Sequence, residues 1–503
     1  VSGGAQVTSD NVTQGQGGDI RIAVTELVQL SSSSDNGSRP SGLFSTTAGR
    51  GSAGSVQVSA TDLSMEGLAS INTSSIGAGD AGTTVIETAL VSLNNGARVT
   101  SSTSGDGDGG QVTLRAEERI HASGMGSDGI GSGFYSDVEA AAAGDGGTIL
   151  LAAPAITLVD GANVSARTRG SGNAGTITIN AGQTLKLQNA ASITTASTES
   201  GPAGSVQVSA TELSMDQLAA INSSTLGAGD AGTIQVEVTR VSLSNGARVT
   251  SSTGGAGDGG QVTVRAEETI HASGIGSDGI GSGFYSDVTV SVGGTEGDAS
   301  GRGGSIDLRA ADIRLSQQAT VSANSDGGGA AGTISIQAGE ALTLTEQARV
   351  TSETSGAGSG GNIGLAAQVV LLDERANVSA RSDGSGDAGR IEVDAGSTLT
   401  LSQGALISTA ATDVGNAGGI TISSGETVEL VDASSITTES LKSGGGKISI
   451  NTRDLLYLRV SMITSAVADG VGNGGDVRID PECVILDGSE ILALAAAGNG
   501  GNS

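Results

Sequence analysis

Apolar and polar residues alternate in short runs along the whole chain. Residues 175–204 show three such runs, with apolar members at Ile177 and Ile179, at Leu185 and Leu187, and at Ile193. A period of two is typical of β-strands that bury one face. The pattern therefore predicts three short strands in each repeat.

A Gly-Gly or Ala-Gly pair marks each repeat, and we call its second glycine the anchor glycine. The anchors lie at positions 18, 54, 82, 110, 147, 175, 204, 232, 260, 304, 332, 361, 389, 418, 446, 475 and 501. Most intervals are 28 or 29 residues. A period of this length predicts a solenoid, in which neighbouring repeats bury each other's apolar faces.

The repeats keep their apolar residues at fixed distances from the anchor. In sixteen repeats the fourth residue after it is Ile, Val or Leu, and the second is too except at Thr84. Such positions stack as inward ladders about 4.8 Å apart when successive repeats pair in parallel. The sequence thus predicts an all-β, right-handed parallel β-helix of about sixteen rungs with three strands per rung.

The residue before the anchor is always Gly or Ala. This restriction predicts a tight corner where rungs approach too closely for larger side chains. A left-handed backbone at this corner would favour glycine for a second reason.

Three intervals exceed the period: 36 residues after Gly18, 37 after Gly110 and 44 after Gly260. They predict insertions near 31–50, 121–145 and 271–302. These segments hold five of the six aromatic residues and both histidines: Phe44, Phe134, Tyr135, Phe284, Tyr285, His121 and His271. Loops on a regular scaffold commonly carry binding function.

Part of the chain is duplicated. Residues 53–138 match residues 203–288 at 67 of 86 positions, with a shift of 150 that equals five rungs. A whole-rung duplication preserves every inward ladder. We therefore expect one continuous β-helix over residues 1–503, open at both ends.

Composition narrows the partners of such a solenoid. The formal net charge of −29 disfavours nucleic acid and anionic lipid surfaces. A lone cysteine, Cys483, excludes an intrachain disulfide framework. No apolar run approaches about 18 residues, so membrane insertion is not expected.

Several repeats resemble those of a known family. The units GTITINAGQTLKLQNAASITTAS, GTISIQAGEALTLTEQARVTSETSG and PECVILDGSEILALAAAGNGGN are similar to repeats of filamentous-haemagglutinin-like exoproteins, as are SGLFS at 41–45 and SGFYS at 132–136 and 282–286. These are large two-partner-secreted proteins of Gram-negative bacteria and cyanobacteria. The resemblance implies a right-handed β-helical shaft, secreted across the outer membrane and displayed at or released from the cell surface. It also implies adhesion or building of a biofilm matrix.

The insertions supply candidate interaction residues. The strand alternation places Leu43, Phe134 and Phe284 inward and the following residues Phe44, Tyr135 and Tyr285 outward. An outward ring either covers the base of its own loop or contacts a glycan or a neighbouring filament. His121 and His271, each in the motif IHASG, also point outward on this pattern. The sequence does not favour metal ligation by either histidine, because no second histidine or cysteine lies nearby in sequence.

Aspartate recurs two residues before the anchor, as at Asp80, Asp108, Asp145, Asp230 and Asp258. Such residues suit turns because their side chains bond the local backbone. Stacked like charges repel, however, and a bound cation such as Ca²⁺ would relieve the repulsion. Both interpretations stay open at this point, and no other cofactor is expected.

The sequence favours a non-enzymatic extracellular shaft with a structural or adhesive role, which associates with itself end to end or laterally and contacts glycans or cell-surface components. A passive stalk that presents a remote toxin or receptor-binding tip is the alternative. A polysaccharide-degrading enzyme is the third hypothesis. It would need a carboxylate pair on the outer face, and the outward position of the first strand supplies none.

Overall fold

The structure is a computed structural model that describes residues 1–32, 40–139, 143–289, 300–469 and 472–502. Every regular element in these ranges is a β-strand. Parallel strands stack as a β-solenoid of about 15 turns in the described chain, which confirms the predicted fold class. Within the same ranges no helix is long and apolar enough to cross a membrane.

The chain divides into two compact units. The first comprises Val1–Thr239 and Ala247–Thr250, and the second comprises Arg240–Gly246 and Ser251–Ser503. The strands up to the boundary are β1 (Gln6–Thr8), β2 (Ile20–Ala23), β3 (Leu27–Ser31), β4 (Gly42–Phe44), β5 (Ser55–Ser59), β6 (Asp62–Glu66), β7 (Ser70–Asn72), β8 (Thr83–Asn94), β9 (Arg98–Thr100), β10 (Gln111–Ser123), β11 (Gly133–Tyr135), β12 (Thr148–Val159), β13 (Asn163–Ser165), β14 (Thr176–Gln188), β15 (Ser192–Thr194), β16 (Ser205–Asp216), β17 (Ala220–Asn222), β18 (Thr233–Ser244) and β19 (Arg248–Thr250).

The remaining strands belong to the second unit. They are β20 (Gln261–Ser273), β21 (Gly283–Tyr285), β22 (Ser305–Ser316), β23 (Thr320–Ser322), β24 (Thr333–Leu344), β25 (Arg349–Thr351), β26 (Asn362–Leu372), β27 (Asn377–Ser379), β28 (Ile391–Leu401), β29 (Leu406–Ala411), β30 (Ile420–Ser424), β31 (Thr427–Val431), β32 (Ser435–Ser440), β33 (Ile448–Thr452), β34 (Leu455–Arg459), β35 (Met462–Val467), β36 (Val477–Asp480), β37 (Cys483–Asp487) and β38 (Glu490–Ala495).

The first two predicted strands of many rungs form one long strand with a bend. β12 pairs in parallel with β14, Ile149 opposite Ile177, and the register shifts between Ala153 and Ala155. β14 has 13 residues, whereas β12 and β16 have 12. The extra residue lies at the bend, which explains why repeats of 28 and 29 residues stack without disturbing the ladders.

The third strands form a separate side of the solenoid. Phe134 lies opposite Val164, which lies opposite Ile193, and all three side chains are fully buried. Leu43 and Phe284 are buried as well. The predicted inward positions of this strand are therefore confirmed.

The anchor glycines lie at corners where consecutive rungs nearly touch. A Cβ atom added to Gly175 would lie 1.9 Å from the carbonyl oxygen of Gly147, and one added to Gly204 would lie 1.8 Å from that of Gly175. Neither Gly175 nor Gly204 has a positive φ. The predicted tight corner is confirmed, but the prediction of a left-handed backbone there is wrong. Backbone proximity alone requires glycine.

Buried hydroxyl groups line the same corners. Ser101 Oγ donates a hydrogen bond to the Gly82 carbonyl at 2.5 Å, and Ser223 Oγ donates one to the Gly204 carbonyl at 2.7 Å. Both serines are fully buried. The Gly82 and Gly204 carbonyls also accept backbone amides of the next rung, so these bonds chiefly satisfy the buried hydroxyl groups, which would be costly to leave unpaired.

Left-handed backbone occurs instead between the second and third strands. Gln317, Gln318, Glu346 and Gln347 all have positive φ angles, between 52° and 64°. The amide of Gln318 donates to the carbonyl of Glu346 at 2.9 Å, so successive turns of this kind are bonded to each other. These bonds offset the steric cost of left-handed backbone at non-glycine residues.

The predicted insertions lie only partly within the described residues. Residues 33–39 of the first, 140–142 of the second and 290–299 of the third fall outside them. The prediction of one continuous β-helix over 1–503 stays a prediction.

Candidate functional site

Two insertions begin with the same short hairpin. After β10, Met125 bridges Gly131 in antiparallel fashion, and after β20 Ile275 bridges Gly281 in the same way. We call residues 124–132 the first hairpin and residues 274–282 the second hairpin. Each hairpin leads directly into a third strand, β11 or β21.

A tyrosine secures the base of each hairpin. The Tyr135 hydroxyl donates to the Gly131 carbonyl at 2.6 Å, and that of Tyr285 donates to the Gly281 carbonyl at 2.6 Å. Only 6% of Tyr135 is exposed, and burial raises the pKa of its hydroxyl group. Tyr135 therefore covers the base of its own loop, and its interaction role stays a prediction. Tyr285 and Phe44 are half-buried, and their interaction role stays a prediction.

The two histidines lie on the outer face of the long strands. His121 is half-buried between the inward, fully buried Ile120 and Ala122, as the alternation predicts. Burial lowers the pKa of His121, and the nearby Arg119 lowers it further against a partial opposing effect of Asp160. Both effects favour the neutral imidazole.

His271 occupies the equivalent position in the second unit and is also half-buried. Burial and then the charge of Arg314, which lies opposite it in β22, lower its pKa. In the described parts of the chain no group of three or more His, Cys, Asp and Glu side chains is placed to hold a metal ion.

The predicted aspartate ladder bonds the backbone of the next rung. Asp80 Oδ1 accepts a hydrogen bond from the amide of Asp108 at 3.0 Å, and Asp108 Oδ1 accepts one from the amide of Asp145 at 2.8 Å. In the second unit Asp258 Oδ1 accepts one from the amide of Arg302 at 2.7 Å. These bonds join consecutive rungs and are not the local turn bonds that the sequence suggested. The cation ladder stays a prediction.

A groove of about 910 Å³ lies beside the first hairpin, on the outer face of the third strands. It spans five rungs, from Asn72 in β7 to Ser192 in β15. Thr100, Tyr135 and Asn163 from the three strands between them also line the groove. We call this cavity the hairpin groove.

Three arginines line the hairpin groove, and each forms an ion pair: Arg98 with Asp128 at 2.6 Å, Arg167 with Asp137 at 3.3 Å and Arg169 with Glu139 at 2.6 Å. The pair of Arg98 and Asp128 joins the first hairpin to strand β9 of the preceding rung. Asp137 is also bonded by the Ser165 hydroxyl at 2.5 Å and by the amide of Arg167 at 2.8 Å. Sequence reasoning missed these pairs, although the aspartate that follows each SGFYS motif was a visible signal.

The second hairpin has a different electrostatic environment. Asp287 is the duplicate of Asp137. It accepts hydrogen bonds from the Ser322 hydroxyl at 2.6 Å and from the backbone amide of Asn324 at 2.7 Å. Asn324 stands where the first copy has Arg167. Burial raises the pKa of Asp287 to about 6; the two hydrogen bonds oppose this shift and the Asp326 carboxylate adds to it. Burial also raises the pKa of Asp326.

Several sequence-predicted residues are thus separated rather than gathered into one site. His121 lies on a long strand, the aspartates lie at the corners, and only Tyr135 lines the hairpin groove. The resemblance of the repeats to filamentous-haemagglutinin-like exoproteins stays a prediction. Comparison with family models, with curated proteins and with solved structures gives no match to this chain.

Proposed function

We propose that this chain is a non-enzymatic structural and adhesive shaft of an extracellular or cell-surface protein. The observation that carries the proposal is the repeated glycine corner, at which each rung is packed directly on the backbone of the one before. A Cβ atom on Gly82 or Gly332 would meet a neighbouring anchor's carbonyl oxygen at 1.9 Å, as on Gly175. One packing rule, repeated in both units, suits a protein whose useful property is its length.

The adhesive part of the proposal rests on the hairpin groove. Its hairpin interrupts an otherwise uniform repeat, and its base is fixed by the Tyr135 hydroxyl bond. A surface held in one arrangement before contact loses little conformational entropy on binding. The net charge of −29 makes long-range attraction to anionic cell surfaces unfavourable. Adhesion through this chain therefore depends on short-range contacts.

Bead adhesion tests the proposal. Beads coated with the purified chain are expected to attach to cells or to cell-wall polysaccharide, and excess soluble chain is expected to compete. Beads coated with thermally unfolded chain are the control. Equal attachment of both kinds of bead would contradict a specific adhesive role.

A second assay addresses the non-enzymatic part. Neutral and acidic polysaccharides incubated with the chain should release no reducing ends or unsaturated products. Turnover of any of these polymers would replace the shaft proposal with the enzyme hypothesis.

A further inference from the structure

The floor of the hairpin groove presents hydrogen-bonding groups that the fold does not use. Asn72 Oδ1 accepts the Ser74 amide at 2.8 Å, and Asn163 Oδ1 accepts the Ser192 hydroxyl at 3.0 Å. Within the described chain, the Nδ2 groups of both asparagines and the hydroxyl of Thr100 have no hydrogen-bond partner. These groups come from three rungs, through strands β7, β9 and β13. Successive rungs are about 4.8 Å apart.

The rim of the groove is aliphatic. Ile76, Met125 and Ile130 all line it, with 66%, 59% and 42% of their surface exposed. Large exposed apolar side chains beside a polar floor mark interaction sites more often than isolated ones do. A ligand that fits has hydroxyl groups toward the floor and C–H surface toward the rim.

The charges of the groove disfavour an anionic ligand. Three guanidinium groups line it, but each is paired with a carboxylate, and Asp160 adds a further acidic group. Paired charges can still donate and accept hydrogen bonds with adjacent hydroxyl groups. The groove is therefore suited to an uncharged polar ligand.

A peptide is a poorer occupant for a different reason. Recognition of an extended peptide commonly uses a free sheet edge. The third strands beneath the groove pair on both sides, as β11 does with β9 and β13. The floor thus offers side chains but no strand edge.

We propose that the hairpin groove binds a neutral oligosaccharide lying along the stack of rungs, with about one sugar residue per rung. Asn72, Thr100 and Asn163 bond its hydroxyl groups, and the aliphatic rim covers its C–H face. This inference rests on the adhesive part of the proposed function and names the ligand class of the same groove.

The test uses the full chain and a panel of neutral hexasaccharides: cellohexaose, xylohexaose, mannohexaose and maltohexaose. Binding is measured by titration calorimetry, with hexagalacturonate as the anionic probe. Thr100→Trp fills the floor and should weaken binding at least tenfold. Thr437→Trp, at a half-buried position of third strand β32, is the matched control and should bind as the native chain does.

A second, smaller substitution distinguishes loss of the groove from misfolding of the Thr100→Trp variant. Arg169→Ala removes an exposed ion pair at the groove and should weaken binding several-fold, whereas Lys442→Ala removes an equally exposed pair elsewhere and should not. Failure of every neutral hexasaccharide, tighter binding of hexagalacturonate, or native affinity in both groove variants would overturn the inference. Bead adhesion without oligosaccharide binding would overturn it and leave the proposed function; loss of both would overturn both.

Discussion

The raised pKa of Asp287 predicts how the local stability beside the second hairpin depends on pH. Its carboxyl group has a pKa of about 6 against an ordinary value of 3.8, because burial outweighs the opposing hydrogen bonds from Ser322 and Asn324. A difference of about two pKa units corresponds to about 3 kcal/mol. The folded state binds the proton more tightly than the unfolded state does.

The sign of the pH dependence follows from this difference. Below about pH 4 Asp287 is protonated in both states and costs nothing. As the pH rises toward about 6, the unfolded chain has already lost the proton while the folded chain retains it, so the stability falls. Above that range the full cost of about 3 kcal/mol remains. This group therefore destabilises its part of the second unit at neutral pH.

The variant Asn324→Arg should supply the missing cation. We expect it to recover most of the roughly 3 kcal/mol at pH 7 and almost nothing at pH 4. Hydrogen exchange of the peptides that span residues 283–326 reports the local opening free energy of this part of the chain. Asn324→Gln adds no charge and is the matched control, which should keep the native pH dependence.

If Asn324→Arg and the native chain lose local stability equally between pH 4 and pH 7, Asp287 is not the group responsible. Asp287→Asn should also remove the dependence, because no ionisable group is then left at that position. A native slope in that variant would refute the account as well.

Three further predictions concern the corners and the first hairpin. Gly204→Ala should destabilise the chain by at least about 3 kcal/mol in thermal unfolding, because its Cβ atom would overlap a carbonyl oxygen. Gly182→Ala, whose Cβ atom would make only an ordinary contact at 3.6 Å, is the control. Tyr135→Phe should cost about 1 kcal/mol, seen as faster hydrogen exchange in the first hairpin, because it removes the bond to a carbonyl group. Removal of Ca²⁺ with a chelator should leave the melting temperature unchanged, since Asp108 and its equivalents bond backbone amides; a fall in melting temperature would contradict this.

The buried ladders were predictable because their signal is local. Alternation with a period of two and a fixed distance from the anchor glycine suffice to place Ile177 and Val206 on the same inward ladder. Thr84 is the one second-position residue in the sixteen repeats that is not Ile, Val or Leu, and its place in the ladder has a physical reason. Thr84 is buried among apolar residues, and its hydroxyl forms a hydrogen bond of 3.1 Å with that of Thr73.

The hairpin groove was not predictable in the same way. Asp137 and Arg167 lie 30 residues apart and meet only because consecutive rungs stack. The burial of Tyr135 likewise depends on the path of the preceding hairpin, which the alternation of β11 does not reveal. Sequence periodicity therefore located the interruptions, whereas the chemistry within them required the three-dimensional arrangement.

The central claim is that this chain acts as a shaft outside the cell. Brief protease treatment of intact cells that produce it, followed by mass spectrometry of the released peptides, tests that claim most directly. We predict that peptides from the exposed hairpins and corners are released while cytoplasmic markers are not. Detection of the chain only after the cells are lysed would contradict the account.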